Sequence, residues 1–349
     1  MRLKASFEKK IFEFKRPSGT SRGVLTAKKA WFFTVWNQNN PGVKGVGECS
    51  VIPGLSPDFE TDEVYEAKIK DVTTDVDYFS MNLDELKDFP SIYFGLEMAL
   101  LDLKNGGKRI FYDTPFARGK QTLPINGLIW MGDEEFMQSQ IEQKLKEGFS
   151  CIKMKIGAID FEKELEILAG IRKQVSAEDI TLRVDANGAF TPEDAPEKLK
   201  RLSAFELHSI EQPIRQGQIE EMHSLCVADI LPIALDEELI GIHDLEDKQQ
   251  LLDKIKPHYI ILKPSLIGGF KGTKEWIDLA EERSIPWWIT SALESNIGLD
   301  AIAQFTSTYP ITLPQGLGTG ALYTNNIDSP LAVENGELVR KKKVAAPKH

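Results

Sequence analysis

Residues 151–157 read Cys-Ile-Lys-Met-Lys-Ile-Gly, CIKMKIG. Strand positions two apart share a face. Lys153 and Lys155 therefore stand side by side, while Ile152, Met154 and Ile156 face the other way. An edge strand with one solvated face would explain the pair, since lysine there discourages edge-to-edge pairing. The sequence on either side argues for something else. Short apolar runs recur as INGLIW ending at Trp130, CIKMK at Lys155, ITLRVD at Asp185 and LHSIE at Glu211. They continue as LPIALD ending at Asp236, YIILK at Lys263, PWWITS at Ser291 and ITLPQ at Gln315, so successive ends fall 24 to 30 residues apart. Helical patterns such as FEKELEILAGIRKQV, PEDAPEKLKRL and KEWIDLAEERS fill the intervals. Eight such units in series predict an α/β fold, a (β/α)8-type TIM barrel or its (β/α)7β variant. An open doubly wound sheet is the alternative, and no Gly-rich dinucleotide turn follows any strand to support it.

Residues 1–120 have a different texture and predict an α+β capping domain. KKIFEFKRP and KKAWFFTVWNQ flank the Gly19–Gly23 loop and read as antiparallel strands. The helix in SIYFGLEMALLDLKNGG stops at a Gly-Gly pair. Residues 121–324 form the expected barrel. Residues 325–349 carry one more strand-like piece, LAVENGELVR, expected to return to the cap, and end in a frayed basic tail.

Catalytic groups in such a barrel sit at the C-terminal ends of the strands. Six consecutive runs end in Lys155, Asp185, Glu211, Asp236, Lys263 and Ser291. A closed barrel has no edges, so edge protection cannot account for this set. Buried charges are costly unless paired or metal-bound. Three carboxylates from neighbouring strands make an all-oxygen site suited to Mg²⁺. Within LDEE the choice falls on Asp236, which ends the apolar run, with Glu237 and Glu238 starting the next loop. Strand parity points His208 to the helix side, and His223, His243 and His258 fall in helices or loops. Lys155 and Lys263 would approach the metal from opposite sides. That arrangement suits removal of a proton from a carbon next to a carboxylate.

The formal net charge of −11 argues against nucleic acid or an anionic membrane as partner. A small carboxylate substrate then needs a local cationic pocket or a metal. Three widely spaced cysteines, an N-terminus without a signal-peptide core and no run near the ~20 apolar residues of a span predict a cytoplasmic protein. Oligomeric state is left open by the sequence.

Taken in order, KMK, VDANGAF, IEQP, LDEE, LKPSLIGG, TSALESNIG and GLGTG resemble the enolase superfamily in its muconate-lactonising-enzyme-like branch. The cap segment GVGECSVIPGLSPD fits the same resemblance. It implies Mg²⁺, with Mn²⁺ as a substitute, on Asp185, Glu211 and Asp236, and acid/base lysines at Lys155 and Lys263. Lys153 would orient a substrate carboxylate and tune Lys155. Dipeptide epimerases of the branch carry an Asp-x-Asp pair at the eighth strand, where this chain reads LPQGLGTG. Mandelate-racemase-like members use a histidine on the seventh, where this chain has Thr290 and Ser291.

The stretches LRVDANGAF, LKPSLIGG and SALESNIG most resemble the o-succinylbenzoate synthases, dehydratases of menaquinone biosynthesis. That resemblance implies syn elimination of water from 2-succinyl-6-hydroxy-2,4-cyclohexadiene-1-carboxylate. Inward-facing Arg183 fits it too, although a helix-facing salt bridge would also explain that residue. Asn187, Ser291, Gly316, Gly318 and Thr319 are the further expected substrate contacts, and the Gly19–Arg22 loop is expected to cover the site. Racemisation of N-acylamino acids and muconate cycloisomerisation are the alternatives within the branch. A non-catalytic metal-binding barrel is disfavoured by the flanking lysines, and a Schiff-base aldolase by the clustered carboxylates.

Overall fold

A computed structural model describes residues 2–20, 23–130 and 133–341. Ser21 and Arg22 of the expected covering loop, and residues 342–349 of the expected tail, lie outside the described residues. The chain opens with an antiparallel sheet of β1 (Leu3–Thr20), β2 (Gly23–Asn37) and β3 (Asn40–Ser50). Helices α1 (Asp62–Thr74), α2 (Val76–Met81) and α3 (Pro90–Lys104) follow. Trp31, Phe33 and Val35 alternate inward along β2 and pack with Tyr65 and Ile69 of α1 and Ile92 and Leu96 of α3. The α3 helix lies backbone-close on β3. A β-carbon at Gly47 would come within 1.8 Å of the Gly95 carbonyl oxygen, so only glycine permits that approach.

A short strand β4 (Leu123–Pro124) leads into the barrel. Its strands are β5 (Gly127–Ile129), β6 (Cys151–Lys155), β7 (Thr181–Asp185), β8 (Ser209–Glu211), β9 (Ile233–Leu235), β10 (Tyr259–Leu262) and β11 (Trp287–Ile289). All pair in parallel, in chain order. One helix follows each: α4 (Glu134–Lys146), α5 (Phe161–Gln174), α6 (Ala195–Leu202), α7 (Ile219–Ala228), α8 (Leu245–Ile255), α9 (Gly269–Glu282) and α10 (Asn296–Thr306). Local chemistry starts several of them. Asp133, Asp160 and Ser295 cap α4, α5 and α10 by accepting from main-chain N–H groups of the first turn.

The eighth strand is shorter than ITLPQ predicts. Only Gln315 and Gly316 pair, with Ile125 on one side and Thr290 on the other, and these bridges close the ring. Pro314, immediately before them, has no N–H to extend a ladder. No helix follows among the described residues, so the architecture is the (β/α)7β variant. Residues 322–325 instead run along β1, with Lys15 N donating to Leu322 O and Thr324 N to Glu13 O. The expected last strand is a hairpin of β12 (Leu331–Glu334) and β13 (Glu337–Arg340), and it pairs with β4.

Cys49, Cys151 and Cys226 are free thiols and buried. No helix among the described residues is long and apolar enough to cross a membrane.

Candidate active site

Register assembles the site. Lys155 of β6 pairs with Asp185 of β7, and Asp185 with Glu211 of β8, so the three stand in one row across adjacent strands. The row below holds Lys153, Arg183 and Ser209. Glu211 pairs with Ala234, placing Asp236 one inward step higher, just past the end of β9. Lys263 stands likewise one residue past β10. Strand tilt in a closed barrel explains why the charged layer climbs from strand to strand.

All six charged groups are nearly out of solvent: each lysine is 8% exposed and each carboxylate 2% or less. Lys153 Nζ donates to Asp185 Oδ2 at 2.9 Å and Glu211 Oε2 at 2.8 Å. Lys155 Nζ donates to Asp185 Oδ2 at 2.7 Å and Asn187 Oδ1 at 2.8 Å. Lys263 Nζ donates to Asp236 Oδ2 from the neighbouring strand end. Pairing of three lysines with three carboxylates offsets the cost of burying them, although burial, joined by the charge of Asp185, pushes Glu211 well above the carboxylate range.

The lysines are not equivalent. Burial, joined by the positive charges of Lys153 and Lys263, pushes Lys155 below the usual lysine range against the pull of Asp185. Burial acts on Lys153 as well, but Asp185 and Glu211 outweigh it and hold that ammonium above its ordinary range. Asp236 does the same for Lys263. Asp185, despite its burial, is held well below the carboxylate range by Lys153 and Lys155.

Above the charged layer lies a cavity of about 170 Å³. Barrel strand ends and loops form its base, through Lys153, Lys155, Lys263, Ser291, Gly316 and Thr319. The cap roofs it with Val24, Leu25, Ile52 and Leu55. One half is thus cationic and the other apolar. No Asp or Glu lines it among the described residues.

A family model described as "Enolase C-terminal domain-like" matches residues 137–344. The chain belongs to the enolase superfamily. It falls in the muconate-lactonising-enzyme-like branch of that superfamily. It is similar to the o-succinylbenzoate synthase of Desulfotalea psychrophila, with 50% identity over 96% of this chain and 98% of that protein. It is also similar to the crystal structure of MenC from D. psychrophila LSv54, at a TM-score of 0.85 and 47% identity, covering 97% of this chain and 99% of the other. The dipeptide epimerase of Enterococcus faecalis V583, solved with Mg and a dipeptide, shares the fold at a TM-score of 0.84 and 19% identity, over 98% of each chain.

Enolase-superfamily membership raises the question of a divalent cation. No three His, Cys, Asp or Glu side chains among the described residues are already gathered as a metal site. Lys153 bridges two of the carboxylates, and Lys263 holds the third. The donor set nonetheless fits. Asp185, Glu211 and Asp236 offer hard oxygens from three adjacent strands. Glu211 Oε1 is buried with no hydrogen-bond partner, the kind of oxygen a cation would satisfy. A cation there would take the place of the lysines as partner of these carboxylates.

Of the other expected site residues, Ser291, Gly316, Gly318 and Thr319 line the cavity. Ser291 Oγ and Thr319 Oγ1 bond each other at 2.6 Å. Gly316 also serves closure, because a β-carbon there would fall 1.9 Å from Thr290 Oγ1. Asn187 does not line the cavity; it accepts from Lys155 and donates to Glu237 Oε1 at 3.0 Å. Arg183 does not line it either, nor does it face the helices. Its guanidinium stacks 3.9 Å from the Trp288 ring centroid and donates to Pro314 O, in the barrel floor. His208, expected on the helix side, packs its ring on Tyr259 and Trp288 in that same floor. The β8 ladder starts only at Ser209, so strict alternation does not reach His208. Burial beside Arg183 pushes the His208 imidazole down to about 4, leaving it neutral. Sequence reasoning missed Leu128 and Trp130 on β5 and its loop, and Leu293 after β11. The apolar run VIPGL after β3 was the available signal for the cap wall.

Proposed function

We propose that the protein is an o-succinylbenzoate synthase. It would remove water, in the syn sense, from 2-succinyl-6-hydroxy-2,4-cyclohexadiene-1-carboxylate to give 2-succinylbenzoate for menaquinone biosynthesis in the cytoplasm. Half-identity to a synthase over nearly the whole chain carries this reading. The site agrees with it: Lys155 and Lys263 face one cavity from opposite sides of a buried carboxylate triad. Asp185, Glu211 and Asp236 would hold Mg²⁺, or Mn²⁺ in its place, which when bound supplies a Lewis acid for the substrate carboxylate.

The chain's own groups then divide the work. Lys155 Nζ, as the neutral amine, takes the proton from the carbon bearing the carboxylate. The same ammonium returns that proton to the departing hydroxyl on the same face. One C–H and one C–O bond break, the ring becomes aromatic, and water leaves. Lys263 stays cationic on the far face and opposes the negative charge that grows in the substrate. Lys153, once Asp185 and Glu211 turn to the cation, adds positive charge for a substrate carboxylate and lowers the proton affinity of Lys155. A cavity without Asp or Glu suits two carboxylates better than it suits a dipeptide's ammonium.

Incubating the protein with the cyclohexadiene carboxylate and Mg²⁺ should produce the aromatic absorbance of 2-succinylbenzoate. Chelation should stop turnover and added Mg²⁺ restore it. Absence of product with freshly prepared substrate would sink the reading. The opposed lysines also favour a second activity, racemisation of N-succinylamino acids by 1,1-proton transfer. Deuterium uptake from heavy water at the α-carbon of such substrates tests it.

A further inference from the structure

Leu293 adopts a backbone conformation that leucine avoids. Its φ is +63°, in the left-handed region where a branched side chain is a genuine outlier. Such strain persists only where the surroundings impose it. Here two buried donors do so. Lys28 Nζ donates to the Leu293 carbonyl at 2.7 Å, and the Tyr323 hydroxyl donates to the same oxygen at 2.6 Å. Lys28 also donates to the Ala292 carbonyl at 2.7 Å and to Ser50 Oγ.

Lys28 lies on β2 of the cap and is 5% exposed. No carboxylate among the described residues accepts from it. The two nearest acids are committed elsewhere: Glu48 takes Ser295 N, Ser295 Oγ and Gly298 N, and Glu294 takes Ser265 Oγ and Ala292 N. A buried ammonium directed at two consecutive main-chain carbonyls is a costly way to join two domains, since apolar packing would serve. What those carbonyls belong to gives the reason. Ala292 and Leu293 line the same cavity as Leu25, which is three residues before Lys28 on the same strand.

We propose that Lys28 is a positioning residue for substrate recognition. Through the Ala292 and Leu293 carbonyls it holds Leu293 as a wall of the apolar half of the cavity. That wall selects the shape of the substrate portion remote from the reacting carboxylate. The inference rests on the proposed dehydration for the identity of the substrate, but the hold on the loop does not depend on it.

Three full-length variants test it: Lys28→Met, Leu293→Gly and the double variant. Lys28→Met should raise KM at least about 5-fold with kcat within about 3-fold of wild type, the pattern of lost binding rather than lost chemistry. Its calorimetric affinity for 2-succinylbenzoate should fall in parallel, with Mg²⁺ affinity unchanged. Leu293→Gly should raise KM similarly, its relief of the left-handed strain being set against the lost burial of the leucine side chain. In the double variant the two effects should not multiply, since both act through one wall. Lowered kcat and Tm in Lys28→Met with KM unmoved, or multiplying KM effects, would overturn the proposal. If wild type fails to turn over the diene, the dehydration reading falls on its own. Hydrogen exchange of amides 292–295 in Lys28→Met then decides the latch: faster exchange supports it, and unchanged exchange refutes it.

Discussion

Arginine at position 155 keeps the positive charge of the β6 row but cannot supply a neutral base near pH 7. Lys155→Arg should therefore lose on the order of 10²–10⁴-fold in kcat, the usual scale of general acid–base catalysis. Near wild-type turnover by that variant would show the lysine to be only an electrostatic element. A second comparison concerns the acids of LDEE. Glu238 accepts from Gln212 Nε2 at 3.0 Å and Gly217 N at 2.7 Å, so it ties a loop, whereas Asp236 faces Lys263. Asp236→Asn should weaken Mg²⁺ binding in a calorimetric titration far more than Glu238→Gln; the reverse order would place the third ligand elsewhere. Most of this layer was legible, because an apolar strand ending in a charge announces both its face and its end. Depth along the barrel axis was not legible. Arg183 has the same parity as Asp185 yet lies one row lower, level with Lys153, where its guanidinium goes to Trp288 and Pro314 O in the floor rather than to the cavity, and the sequence does not reveal that.

Elements join through contacts the local sequence does not announce. Helix α3 meets α9 where Glu97 accepts Phe270 N at 2.6 Å and Lys271 N at 3.2 Å. Burial pushes the Glu97 carboxyl from 4.5 up to about 7, against those hydrogen bonds. The folded state therefore binds this proton more tightly than the unfolded chain does. Stability from it is fully present below about pH 4.5 and is lost as pH rises to about 7. Glu97→Gln should gain on wild type across that window, by on the order of 2 to 3 kcal/mol in chemical denaturation. A difference that does not vary with pH would refute the shift. The β3–α3 contact predicts the opposite sign. Gly47→Ala should cost at least about 2 kcal/mol by overpacking, since backbone atoms rather than a flexible side chain block the new methyl. Gly42→Ala, with nothing nearer than 3.9 Å, should be neutral and serves as the control. GVKGVG reads as a strand but gives no hint of its helix partner, which lies about fifty residues on and is fixed only by packing.

At the scale of the whole molecule, strand-and-helix spacing foretold the barrel, and the change of texture near residue 120 foretold a second kind of structure. The closing strand was harder to read. ITLPQ looks like its predecessors, but Pro314 and the 1.9 Å approach at Gly316 leave only two residues to pair. Those two residues carry the ring. A chain truncated before Gln315 should retain helical circular dichroism but sediment as aggregates, because β5 and β11 would present open edges. A soluble, cooperatively melting truncation would show that closure is dispensable.

That closure also dictates an order of events during synthesis. Every other barrel strand leaves the ribosome before Gln315 does, so the sheet must wait, open at both sides, for its last two pairing residues. Waiting sheets with bare edges are the species that chaperones bind and that inclusion bodies collect. Slowing translation should not rescue this barrel, because no amount of time closes the ring before its final segment emerges. Holding the nascent chain in a chaperone until release should.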